Sequence, residues 1–125
     1  MRRVILYFMI FGLFGSALMA KNAPELLHKN GCMKCHNVMG IKSAPSFFMI
    51  AKMHSGWFGV SKKGIAKSIK YGSYGKYPMF ANASMPSYRK LSDKDIGVMT
   101  DWIAAQNSRG MRGCMMNHEM KHKIK

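Results

Sequence analysis

Apolar positions along this chain fall into distinct patterns. Val4 to Met19 form an almost unbroken apolar run behind Arg2-Arg3, and Ala20 follows. A positive start, a short apolar stretch and a small residue read as a secretory signal peptide, 1–20, with cleavage after Ala20 or, alternatively, after Ala17. The run is short of the ~20 residues that span a bilayer, so a retained membrane anchor is the lesser alternative. From residue 23 the spacing turns helical. Residues 23–31 predict a short helix, with Pro24 and Glu25 suiting its first turn and Gly31 suiting its stop. Phe47 to His54 predict a second. In Ser61 to Tyr71, Ile65 and Ile69 stand one turn apart and Gly72 ends the pattern. Residues 72–90 carry Gly, Tyr, Pro and Met without period and predict a long ordered loop, which in a small domain usually has a task. Ser92-Asp93-Lys94-Asp95 has the form of a helix N-cap. Ile96, Met99 and Ile103, with Trp102 beside them, give a helix face running to about Gln106. No strand signal and no internal repeat stand out. The expected organisation is therefore an all-α domain over 21–107, followed by a basic Met- and His-rich tail, 108–125.

Charge changes the picture next. The formal net charge is +15, with five acidic residues in 125. Such a field steers a protein toward negative surfaces and weakens with salt. Export argues against nucleic acid, and no segment interleaves aromatic and basic residues as single-strand binders do. Acidic docking proteins remain, and the charge also allows peripheral contact with an anionic membrane.

The chemistry lies in Cys32-Met33-Lys34-Cys35-His36. Cys-x-x-Cys-His is the attachment signature of c-type haem. Two thiols three positions apart reach two vinyl groups on adjacent edges of one porphyrin, and His36 then falls under the ring as an iron ligand. A thioredoxin-like pair would need a βαβ context, which is absent. A zinc site would need a second cysteine pair. One haem c, attached through Cys32 and Cys35, is the reading.

A saturated iron needs a second ligand, for which Met is usual. Most of the fourteen Met residues are apolar packing. The ligand has to come from a loop that wraps the haem edge, which selects Met85 and Met79 in 72–90. Met85 is preferred because Pro86 stiffens the chain beside it. Met79 is second, and a histidine, His54 or His28, is third.

These pieces resemble the small bacterial class I cytochromes c. The resemblance runs in order through Pro24-Glu25-Leu26-Leu27, Gly31 to His36, Ala44-Pro45-Ser46-Phe47, Met85-Pro86, Leu91-Ser92-Asp93-x-Asp95 and Trp102-Ile103. It implies the class I cytochrome c fold, with three to five short helices around one haem and the first and last crossing. It implies that Leu27 and Gly31 meet the Trp102 region. It also implies that the Pro45 carbonyl accepts from the His36 ring and fixes its orientation. The Tyr77-Pro78-Met79-Phe80 segment departs from the pattern, as does the chain after Gln106.

The expected function is a periplasmic monohaem one-electron carrier and not an enzyme, a monomer serving respiratory partners such as a terminal oxidase, peroxidase or dehydrogenase. Lys34, Lys42, Lys62, Lys63 and Lys90 are candidates to ring the haem edge and guide docking. The alternative is a dedicated haem electron-acceptor subunit of a periplasmic dehydrogenase complex, such as a sulfite-oxidising enzyme. Peroxide chemistry at the iron is a third reading, against which stands the lack of a distal acid–base pair. In the tail, Cys114, His118 and His122 would share one helical face, a set that suits Cu(I). A plain basic tail is the preferred account of it.

Overall fold

The computed structural model describes residues 22–57 and 59–123, and side chains up to Arg109. The expected signal peptide, 1–20, lies outside the described residues. So do the side chains of Cys114, His118 and His122. Among the described residues no helix is long and apolar enough to cross a membrane.

Four α-helices carry this region: α1 (Ala23–Lys29), α2 (Phe47–Met53), α3 (Lys62–Tyr71) and α4 (Asp93–Lys123). Their starts follow from side chains. Pro24 sits in the first turn of α1 and Glu25 faces its positive end. The Ser46 hydroxyl caps α2 by accepting from the Met49 amide at 3.1 Å. The Ser92 hydroxyl does the same for the Asp95 amide at 3.1 Å. Helix α4 does not stop at Gln106, where the apolar pattern ends, but continues to Lys123. Residues 108–123 hold no proline and are rich in Met, Arg and Lys, which propagate a helix well.

Each helix contributes to one core. Leu26 and Leu27 from α1, Phe47 and Ile50 from α2, and Ile65 and Ile69 from α3 meet Ile96, Met99 and Ile103 of α4. At about 1.5–3 kcal/mol for each large apolar side chain removed from water, this cluster is the main source of stability. Helix α4 packs against all three others. The Lys62–Asp101 ion pair at 2.9 Å and the Lys70–Asp93 pair link α3 to α4 at the surface. Exposed pairs of this kind contribute little.

The expectation of no strands is corrected at two places. Ser55–Gly56 (β1) pairs antiparallel with Gly59–Val60 (β2), making a hairpin whose turn begins at Trp57. Ser73–Tyr74 (β3) pairs with Ser84–Met85 (β4), with Ser73 opposite Met85. Two-residue ladders are too short to leave an alternating pattern in the sequence. The second ladder closes the neck of the 72–90 loop, and a single 3-10 turn, Pro78–Phe80, lies within it.

Gly72 sets the geometry of that neck. Its φ is +76° and its ψ 178°, a combination essentially restricted to glycine. A Cβ there would lie 2.6 Å from the Met85 carbonyl oxygen and 3.2 Å from backbone atoms of Pro86 and Ser87. Only a residue without a side chain lets α3 end this close to the strand carrying Met85.

Candidate cofactor site

A cavity of about 490 Å³ opens between the attachment turn, α2, α3 and the 72–90 loop, within the range of small-molecule sites. Apolar side chains floor it, among them Leu27, Phe47, Ile50, Ile65, Ile69 and Met99. Cys32, Cys35, His36, Pro45 and Met85 all line it.

The attachment turn explains how three reactive side chains reach one cavity. Cys32–Lys34 form a 3-10 turn. The Cys32 carbonyl accepts from the amides of Cys35, at 3.3 Å, and His36, at 3.0 Å. This tight coil folds Cys35 and His36 back over Cys32. Neither Cys32 nor Cys35 is in a disulfide; Cys32 is half-buried and Cys35 exposed. Burial pushes the Cys32 thiol pKa up, which keeps it neutral.

His36 is held on two sides. It is 8% exposed. Its Nδ1–H donates to the Pro45 carbonyl at 2.6 Å. Its ring stacks on Phe47, with centroids 5.3 Å apart and planes 21° apart. Phe47 in turn meets the edge of Trp102 at 5.6 Å. Burial lowers the His36 pKa, and the Pro45 bond opposes that in part. The result is a neutral imidazole with Nδ1 committed and the Nε2 lone pair left for a metal.

The two loop methionines differ in placement. Met85, half-buried in β4, lines the cavity. Met79, in the 3-10 turn, is 70% exposed and is not among the lining residues. His28 is exposed and also lies away from the cavity. His54 does line it, with Nε2 hydrogen-bonded to the Tyr77 hydroxyl at 3.2 Å.

His54 belongs to a polar corner that the sequence pattern did not reveal. Lys76 Nζ donates to the Ser68 hydroxyl at 2.6 Å, and Ser68, Lys76 and Tyr77 also line the cavity. Burial, and secondarily Lys67, lowers the Lys76 pKa. Burial and then Lys76 lower that of His54. Gly64 makes room for this corner, since a Cβ there would sit 2.8 Å from the His54 ring. Its members come from α2, α3 and the loop, so only the fold brings them together.

The site thus offers two free thiols, an oriented neutral imidazole, a thioether, a largely apolar wall, and one corner of N–H and O–H donors. That set fits a covalently held haem, a flat apolar ring with charged carboxylates at one edge. Of the lysines expected around its rim, Lys34 lines the cavity and Lys42 Nζ donates to the Met33 carbonyl of the attachment turn at 3.0 Å. Lys90 is exposed. Lys62 and Lys63 instead border a separate depression between α3 and α4.

Comparison with known proteins agrees with this geometry. The family model described as Cytochrome c matches residues 20–107. The crystal structure of wild-type Nitrosomonas europaea cytochrome c552 is similar, at 28% identity and a TM-score of 0.59, covering 67% of this chain and 99% of that one. A deletion mutant of that cytochrome, in a monoclinic crystal, gives 28% identity and a TM-score of 0.57 with the same coverage. The class 1 cytochrome MtoD from Sideroxydans lithotrophicus ES-1 shares the fold at 22% identity and a TM-score of 0.54, covering 68% and 92%. No curated protein matches the chain.

Proposed function

The chain belongs to the cytochrome c family, and from that premise we propose that it is an exported, periplasmic one-electron carrier, with His36 and Met85 as the two iron ligands and acidic redox proteins as its partners. Family membership brings one covalently bound haem c, for which Cys32 and Cys35 fit the attachment motif. When bound, that group supplies an iron that takes up and returns a single electron.

The single observation that carries the ligand reading is the His36 geometry. Its Nδ1–H bond to Pro45 and its stack on Phe47 fix both tautomer and ring plane. A ligand held this way needs no rearrangement when the metal changes charge. Met85 is favoured over Met79 by its position on the cavity wall. With Pro86 behind it and the β3–β4 ladder beneath it, it too is held in place. A thioether raises the reduction potential relative to a second imidazole, which suits a carrier. The polar corner of His54, Lys76 and Tyr77 would offer donors to the carboxylates of the group when it is bound.

The charge supports the partner reading, since the +15 of the full chain owes only Arg2 and Arg3 to the expected signal peptide. Lys34 at the rim is placed to steer a negative surface toward the exposed Cys35 side. Transfer to such a partner slows as salt rises.

The test is spectroscopic. The purified oxidised protein is expected to show one haem per chain and the weak far-red band of sulfur-to-iron charge transfer. Met85→Ala removes the band and Met79→Ala leaves it. A band lost in Met79→Ala and kept in Met85→Ala would overturn the assignment, and a wild type without any band would overturn the Met-ligated carrier.

A further inference from the structure

The most conspicuous side chain that the site does not use is Trp57. It is 97% exposed, at the turn of the β1–β2 hairpin. The hairpin pairs Gly56 with Gly59, so no side chain flanks the indole on the ladder. Among the described residues Trp57 therefore packs on nothing. A single exposed apolar side chain is ordinary by itself, but an indole beside cations is the pairing that the membrane–water interface favours.

The surroundings decide which kind of surface. Lys52 and Met53, on the last turn of α2, precede the hairpin and are exposed. Lys62 and Lys63, on the first turn of α3, follow it and are exposed as well. Between Glu25 and Asp93 the chain has no acidic residue at all. A protruding aromatic tip set among cations, without a broad apolar floor, does not match a protein-docking patch, which is contiguous and largely desolvated. It matches the bilayer interface, where an indole settles at headgroup depth while lysines meet anionic headgroups. The hairpin is also anchored: the Ser61 amide donates to the His54 carbonyl at 2.8 Å, tying its base to the cavity wall.

We infer that the Trp57 tip is a membrane-contact site that docks the protein reversibly on an anionic lipid surface, with the indole entering the headgroup layer and Lys52 and Lys63 facing the lipid charge. The contact is peripheral and independent of electron transfer.

Sedimentation of the haem-loaded mature protein with vesicles tests it. Phosphatidylcholine vesicles are compared with vesicles also containing about 30% phosphatidylglycerol. Wild type is expected to partition onto the anionic vesicles only. Trp57→Ala is expected to weaken that partition by about tenfold, with an unchanged haem spectrum and unfolding midpoint, while Trp57→Phe keeps most of it. Lys52→Gln with Lys63→Gln lowers it separately and reduces its salt dependence. Equal partition of wild type and Trp57→Ala would show adsorption by charge alone and overturn the inference. So would a wild type that does not bind anionic vesicles, which would leave Trp57 to a protein partner.

Discussion

Replacing Gly72 with alanine perturbs the site without changing any residue that lines the cavity. Two costs add. The first is conformational: φ +76° with ψ 178° is a region open in practice only to glycine, worth about 1–3 kcal/mol for any other residue. The second is steric. The new methyl group would lie 2.6 Å from the Met85 carbonyl oxygen, so one side has to retreat by roughly 0.8 Å to reach ordinary contact. The contacts are all backbone, so no side chain can rotate out of the way. Together they destabilise by about 2–4 kcal/mol. Part of the relief comes from moving β4, which carries Met85 out of register with the cavity. Two measurements read the two parts. Guanidinium unfolding of the haem-loaded protein gives the total, and the far-red band reports on the proposed Met85 ligation. Gly72→Ala is expected to lower the midpoint strongly and to weaken the band. Gly97→Ala in α4 serves as the contrast, since a Cβ there meets nothing within 4 Å; it should stabilise by about 0.5–1 kcal/mol. If Gly72→Ala unfolded like wild type and kept its band, the neck of the loop would not be what positions Met85.

Further outcomes follow from the same structure. Phe47→Ala removes a side chain that is fully buried and stacked on His36. It should cost about 3–5 kcal/mol and broaden the His36 ring environment in NMR spectra, whereas a loss below 1 kcal/mol would show that the stack contributes nothing. Burial raises the Tyr77 phenol pKa above its ordinary 10.0. The unfolded chain therefore ionises first, and the stability due to this group is complete below pH 10 and drains as the pH rises beyond it. Tyr77→Phe should flatten that alkaline fall in a denaturation series; an identical slope would remove Tyr77 as its source. Lys70→Ala breaks an exposed pair with Asp93 and should leave the unfolding midpoint close to that of wild type; a large drop in the same assay would show that the pair matters to the fold.

What the sequence made legible follows from where each signal is local. The attachment motif could be read because bond lengths within one ring dictate the spacing of Cys32, Cys35 and His36. Two helical faces, Ile65-Ile69 and Ile96-Met99-Ile103, could be read because period betrays burial, while Leu27 came with the resemblance. The Pro45 contact came only with the resemblance, since nothing in the run Ala44 to Phe47 names an acceptor. The corner of His54, Ser68, Lys76 and Tyr77 was out of reach: its members span three elements and meet only in the folded chain. The β3–β4 ladder escaped for a different reason, being two residues long on each side. The continuation of α4 past Gln106 was missed because its later turns lack the apolar stripe from which the helix was traced.

That small ladder has a consequence for how such a chain can vary. Ser73 faces Met85 across the neck, and everything from Gly75 to Ala83 hangs beyond that clasp. Residues could be inserted or removed at the tip of the hanging part, beyond Lys76 and Tyr77 on the cavity wall, while the clasp keeps its register. Length variation would then be absorbed at the rim, and the methionine would hold its station against the cavity through many different outlines of the same loop.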